Sequence, residues 1–516
     1  MFKQVTTITA LYAYGKDKQK RYHINKLDLN VSLYSGYTCS FALTGLASDT
    51  TGSLDTSNQA ISDIYSVGDT VTICMEYVQG DKNEKKLCYV ASGRVLSLNH
   101  TFAVSESTYA QVTVYTIADD MQFISTTPIG RIYTYNAVEG ENSASRLKLL
   151  TKAMSGSLWT ELRNTVMSGK YFNIPLATAS LLNRIIEAPK GSKTLKITDV
   201  VDMTASPTLH LNPSCGAALL KELTTSVNSD LSTSPPATLF KYIIGRYFLT
   251  LGYYRDGATG KWKIVPIPDM PWDKRVVTKD VVTDVLSSRL AVSGCPDDSF
   301  DAVAVRYASI ASANARQLVN TVKLSECAIC VETSTNASGG QKVSKIVEMT
   351  INPATTGDTQ ALKDTDALPS KARLITLDIP GWIKWVYAPD GKLDNTTIDT
   401  QYQKKWAKML ARAYYALHNR ERSTLTIGVP ILQALDMTCT ALGRVVGVLV
   451  PMSSDITANK GTKANYYGRV TGISISISID KNFAASARVD LSHVRTATEQ
   501  NNLSVDCSEL LKLAGG

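Results

Sequence analysis

The strongest hydrophobic pattern in the chain lies between Tyr466 and Val494. Gly468-Arg469-Val470 leads into strict alternation, with Ile473, Ile475, Ile477 and Ile479 separated by serines. A turn at Asp480-Lys481-Asn482 brings the chain back through Phe483, Ala485, Ala487, Val489 and Leu491. A period of two marks half-buried antiparallel strands. The stretch from Ser92 to Thr116 has the same layout: Gly93-Arg94-Val95 opens a strand, a polar loop follows, and a strand of similar length returns. The two share layout more than identity, and unrelated hairpins can share it too. Read as a repeat, the echo predicts one β-module occurring twice.

Along the chain, residues 1–130 read as all β. Leu27, Leu29, Val31 and Leu33 alternate with polar partners, Tyr37–Leu43 forms a second run, and a Gly68-Asp69 turn feeds a third. Several such strands joined by short turns predict a small barrel or sandwich. Residues 131–204 break the alternation with broadly helical spacing and form a helical or irregular connector. In 205–274 the pattern predicts a small α/β element, with a helix over 214–229, another from about 237, and a hairpin turning at Asp256-Gly257. Strands resume over 275–400, where a long polar surface loop interrupts a region contributing partly to the second module. Residues 401–495 hold a helix with Tyr402, Trp406, Met409 and Leu417 on one face, then strands in the order seen in the first module. Residues 496–516 are a polar tail. The expected fold is mainly β with inserted α/β elements, built on two small antiparallel β-barrel modules in tandem.

Composition sharpens this picture little. Charged residues make up 19% of the chain, below the usual quarter, so serine and threonine fill the polar strand positions. The net charge of +8 is modest for 516 residues and is no nucleic-acid signature by itself. The opening stretch lacks the apolar core of a secretion signal, and no run of apolar residues is long enough for a membrane span, so no stable membrane insertion is expected. Nine scattered cysteines suit a reducing compartment better than a disulfide framework.

Candidate chemistry is sparse. His23, His100, His210, His418 and His493 show no metal-ligand spacing, so no metal is expected. Cys327 and Cys330 form a lone C-x-x-C inside an apolar run, which favours buried structural thiols over a redox pair or a site completed by partners. Asp256-Gly257-Ala258-Thr259-Gly260-Lys261 fails as a phosphate loop because no Ser or Thr follows the lysine. No catalytic or cofactor-binding residue stands out, and the chain reads as no enzyme. Trp382 and Trp385, beside Pro380 and Gly381, fit either a turn capping the core or an anchor for a neighbour.

The doubled strand order resembles the central baseplate hub proteins of tailed bacteriophages and related contractile injection systems. The stretches that carry the likeness are the helix at 402–417 leading into Ser423–Val450, the closing run from Tyr466 to Leu491, and the middle region from Leu219 to Ile267. The resemblance implies a homotrimer in the virion tail baseplate, made in the host bacterial cytoplasm. Its two modules per subunit would form a pseudo-sixfold ring joining a hexameric tail tube protein to a trimeric spike protein, with wedge or tape-measure contacts and DNA passing the lumen. Candidate ring positions are Arg94, Val95 and Val112 in the first module and Arg469, Val470 and Val489 in the second. Another tail-tube, distal-tail or baseplate component, and a tail enzyme degrading cell wall, are the alternatives.

Overall fold

The computed structural model describes residues 6–15, 21–46, 64–79, 84–105, 108–124, 167–168, 171–183, 195–203, 210–211, 235–245, 249–269, 277–293, 302–307, 318–323, 327–332, 347–351, 374–379, 386–387, 393–394, 422–450, 464–479 and 484–497. The helices expected over 214–229 and 402–417 lie outside these residues, as do Trp382 and Trp385.

Seven strands come first: β1 (Thr6–Tyr14), β2 (Arg21–His23), β3 (Lys26–Ser32), β4 (Gly36–Leu46), β5 (Thr70–Gln79), β6 (Lys85–Ser105) and β7 (Thr108–Ala118). Short strands β8 (Met167–Ser168), β9 (Tyr171–Asn173) and β10 (His210–Leu211) pair in a separate sheet. This part of the chain also holds helices α1 (Ile174–Asn183), α2 (Ile197–Val200) and α3 (Pro236–Gly245). The hairpin turning at Asp256-Gly257 forms as β11 (Leu249–Arg255) and β12 (Trp262–Pro268). Next come β13 (Val277–Val282) and β14 (Ser287–Ser293). A five-stranded sheet holds β15 (Ala302–Tyr307), β16 (Leu318–Lys323), β17 (Cys327–Glu332), β18 (Val347–Ile351) and β19 (Leu374–Ile379), and two short strands, β20 (Val386–Tyr387) and β21 (Leu393–Asp394), pair apart. The chain then runs through β22 (Arg422–Gly428), helix α4 (Ile431–Thr440), β23 (Val445–Val448), β24 (Tyr466–Ser478) and β25 (Ala484–Thr496).

The expected pair of β-barrels is not what forms. Among the described residues no sheet closes into a barrel; strands of both modules join one 13-stranded sheet in the order β14-β22-β25-β24-β3-β4-β7-β6-β5-β1-β2, with β23 and β13 off this path. The physical reason lies in β24. One of its edges carries β25, while the other carries β23 along Tyr466–Arg469 and then β3 along Gly472–Ser478. The hydrogen-bonding edge that closure of a module would need is thus spent on its neighbour.

Within this sheet the strand order is duplicated. In the first module the path is β3-β4-β7-β6-β5-β1, and in the second it is β14-β22-β25-β24-β23-β13. Chain order matches as well, β1-β3-β4-β5-β6-β7 against β13-β14-β22-β23-β24-β25. The pairings agree in direction except at one end, where β5 and β1 are antiparallel but β23 and β13 are parallel. A shared irregularity fixes the alignment. In β6, Arg94 and Val95 face Ala118 and Ile117, and the register slips one residue before Ser97. In β24, Arg469 and Val470 face Ser492 and Leu491, and the register slips one residue before Gly472. The Gly-Arg-Val of β6 and that of β24 are therefore each followed by a one-residue bulge, at Leu96 and Thr471, which bends the strand and raises its twist.

The glycines of both motifs are sites of close approach. A Cβ at Gly93 would meet the Tyr37 hydroxyl at 2.0 Å and the Ala118 carbonyl at 2.6 Å; at Gly468 it would meet Leu491 at 2.9 Å. Helix α4 follows β22 where the sequence reading expected only strands. Pro430 stands at its N-cap, and Ala434, Leu435, Met437 and Thr438 make its buried stripe. One contiguous apolar core runs from Ile8 through Tyr253 and Ile264 of the β11–β12 hairpin to Val494.

Candidate functional site

The seam between β3 and β24 is where the two modules become one sheet. Both strands alternate, so pairing in this register gives the sheet two faces. Leu27, Leu29 and Val31 of β3 lie beside Ile477, Ile475 and Ile473 of β24 on the core side, all buried. Each such side chain contributes on the order of 1.5–3 kcal/mol relative to exposure. Pairing continues past both ends, where Leu33 donates its N–H to Thr471 O at 2.9 Å and Ile479 donates to Asn25 O at 2.8 Å.

The other face is a polar field shared by both modules. Across it runs a row of Ser486, Ser476, Asp28, Ser40, Thr116 and Ser97, one from each of six adjacent strands. Ser476 donates its hydroxyl proton to Asp28 Oδ1 at 2.6 Å across the seam, and the Ser40 and Thr116 hydroxyls are 3.1 Å apart. By register, Thr426 and Asp490 take the places of Ser40 and Thr116 in the second module, and Thr426 donates to Asp490 Oδ1 at 3.0 Å. Charges on this face are locally paired: Lys26 lies 3.3 Å from Asp28, and Arg488 lies 3.1 Å from Asp490. An open trough of about 640 Å³ follows the seam, lined by Asn30, Ser32, Thr38, Ser474, Asp490 and others, with exposed Tyr34 at its rim.

Behind the seam the β11–β12 hairpin is wedged between the modules by two buried arginines. Arg255, at the end of β11, donates from Nε to Thr438 Oγ1 at 2.9 Å, from Nη2 to Leu435 O at 2.8 Å, and from Nη1 to Tyr89 O. One guanidinium thus holds helix α4 of the second module against β6 of the first, using the planar fork of donors that only arginine offers. Arg469, 1% exposed, donates from Nε to Gly443 O at 3.0 Å and from Nη2 to Pro268 O at 3.1 Å, and its Nη1 pairs with Asp269. Trp262 of the hairpin stacks on Tyr37 of β4 with ring centroids 4.4 Å apart.

Beside this wedge Asp119 is buried. Its Oδ1 accepts the Met121 N–H at 2.9 Å and its Oδ2 accepts the Tyr37 N–H at 3.4 Å. Burial pushes its carboxyl up to about 6, against the opposing pull of Lys241 and the two N–H donors. The same burial lowers Lys241, which the Asp119 carboxylate partly offsets. Gly36 lies over the carboxylate in the left-handed region, φ 88°, where a Cβ would sit 2.5 Å from Oδ2.

The structure separates the expected ring positions. Val95, Val470 and Val489 are fully buried within the single chain, and Arg469 is spent on the wedge. Val112 is half-buried opposite Thr44 and Thr101. Arg94 takes the place of Arg469 in the first module, yet pairs with Asp120 at 2.7 Å with both side chains about two-fifths exposed. Arg255 and the β3–β24 seam went unnoticed in the sequence, because neither leaves a local pattern.

Among the described residues no cluster of three or more His, Cys, Asp or Glu is placed to hold a metal ion, and no helix is long and apolar enough to cross a membrane. Cys327 and Cys330 lie on strand β17.

No family model matches the chain, and no curated protein matches it in sequence. Among solved structures, it is similar to the 43 kDa tail protein of prophage MuSo2 from Shewanella oneidensis, at 9% identity and a TM-score of 0.38, over 96% of this chain and 100% of that one. It is similar to a tail protein from Neisseria meningitidis MC58 at 10% identity and a TM-score of 0.35, over 94% of this chain and 97% of that one. It is also similar to the Escherichia coli protein c3393, described as a component of the type VI secretion system, at 8% identity and a TM-score of 0.33, over 96% of this chain and 78% of that one. At such scores and identities a likeness establishes neither a shared fold nor a shared role.

Proposed function

We propose that the chain is a structural component of a phage tail baseplate, a homotrimeric central hub that joins the hexameric tail tube to the trimeric spike. The observation that carries this reading is the duplicated strand order, locked by the matching bulges after Val95 and Val470 and fused through one sheet. A duplicated unit in a threefold oligomer offers six near-equivalent faces above and three copies of everything else below. That arrangement resolves a six-to-three mismatch without a second kind of subunit. The partners under this reading are the tube protein, the spike protein and wedge or tape-measure proteins, with DNA only passing through the lumen. The virion baseplate is its location.

The polar field at the seam suits this role. Lys26 and Arg488 on it each pair with an aspartate, which limits the positive surface on which a passing polyanion would stall.

The test is the mass of the native protein, followed by cryo-electron microscopy of the assembled tail. A trimer sitting between tube and spike, with residues 25–120 and 420–495 superposing after rotation near sixty degrees, is the expected result. A protein that stays monomeric both in solution and in its particle would overturn the reading.

A further inference from the structure

The internal repeat leaves two strand edges open, and they are complementary. Strand β24 uses its first half to pair with β23 and its second half, Gly472–Ser478, to pair with β3. Strand β6 stands in the same place in the first module. Its first half pairs with β5 up to Arg94, but along Ser97–Ala103 the edge away from β7 carries no strand among the described residues. Ser97, Asn99 and Thr101 are accordingly exposed.

The missing partner can be identified by the same alignment. Strand β14 stands where β3 does: Leu290 faces Leu425 of β22 as Leu29 faces Cys39 of β4. Leu29 and Val31 are 0% and 2% exposed because β24 covers their edge, whereas Leu290 and Val292 are 43% and 52% exposed. Among the described residues β14 is the terminal strand of the sheet, with only β22 beside it, and all of it is exposed. A terminal strand with exposed apolar side chains and no strand along its outer edge among the described residues is a template for another strand.

We infer that β14 of one copy pairs antiparallel with the second half of β6 of another copy, repeating between subunits the seam that β3 and β24 make within one. Transferring the observed register sets Leu98 opposite Val292, Asn99 opposite Ala291, His100 opposite Leu290 and Thr101 opposite Arg289. Leu98 with Val292 and His100 with Leu290 then fall on the core side, and Asn99, Ala291, Thr101 and Arg289 on the polar field. Because the two edges differ, the contact is heterologous and closes only as a ring. This deepens the hub reading and rests on it for the closed threefold stoichiometry.

The test is oxidative cross-linking of the full chain carrying Asn99→Cys and Ala291→Cys, beside its native mass. Facing residues of an antiparallel pair bring their Cα atoms within disulfide range. Covalent dimer and trimer should rise about tenfold over wild type and over the Asn99→Cys, Val292→Cys pair, whose side chains fall on opposite faces. Val292→Asp, at an exposed position, should weaken association at least about tenfold with an unchanged thermal midpoint. A trimer in which the 99–291 pair fails to cross-link, or cross-links no better than 99–292, overturns the strand junction and leaves the hub reading standing. A monomer sinks both.

Discussion

Arg94 and Arg469 show how identical residues at equivalent positions acquire different worth. Arg94 and Asp120 both keep about two-fifths of their side chains in water, where such a pair is worth roughly 0–1 kcal/mol. Arg469 is enclosed, and its removal strands the Gly443 and Pro268 carbonyls and the Asp269 carboxylate. Arg469→Ala should therefore cost about 3 kcal/mol or more, and Arg94→Ala under about 1 kcal/mol, read from urea unfolding midpoints. Asp119 makes a second prediction at this scale. Its carboxyl is raised to about 6 in the folded chain, chiefly by burial, so the folded state binds a proton more readily than the unfolded state. Its contribution to stability is fully present below the ordinary carboxylate range and is lost as pH rises through about 6, a loss of about 3 kcal/mol. Asp119→Asn should flatten that part of the stability profile, and an unchanged slope between acid and neutral pH would contradict it.

At the scale of elements, the alternating runs announced themselves. Ile473, Ile475 and Ile477 are buried between intermediate serines, as the period of two requires, and the β11–β12 hairpin turns where Asp256-Gly257 placed it. Helix α4 did not. Its sequence, ILQALDMTCT, holds threonines and a cysteine of weak helix propensity, and it forms because its stripe packs beneath β24 and β25 and accepts Arg255. The bulge was half legible. Gly-Arg-Val occurs three times in the sequence, at 93–95, 443–445 and 468–470, and only the strand pairing shows that the first and last are each followed by a slipped residue. Its glycine carries a prediction. Gly93→Ala places a methyl against the Tyr37 hydroxyl and the Ala118 carbonyl, which the β6–β7 ladder fixes in place. The cost should be about 1–3 kcal/mol, the usual range for overpacking a closed site. An alanine variant with the wild-type thermal midpoint would show that the strands can part there freely.

For the whole molecule, the decisive contact joins residues 448 positions apart, Ser476 to Asp28, and no local pattern can report a pairing at that distance. The sequence suggested two separate closed units because each strand set was self-consistent; the structure merges them because β24 outlasts β23 and has edge left over for β3. Strand pairing alone makes this junction a hinge, since one ladder resists bending about its own axis weakly. The β11–β12 hairpin supplies the bracing, and Arg255 is the member of it that touches both sides, Tyr89 on β6 and Leu435 with Thr438 on α4. Replacing it with methionine keeps the stem and its apolar contacts but removes the fork. Amide exchange in β6 near Tyr89 and in α4 should then speed up together, by about tenfold or more, while exchange within the β3–β4 and β24–β25 ladders stays slow. Acceleration spread evenly over the whole sheet would mean that Arg255 supports the fold at large rather than the angle between its halves. The distinction bears on assembly, because six near-equivalent faces stay equivalent only if every copy holds that angle fixed.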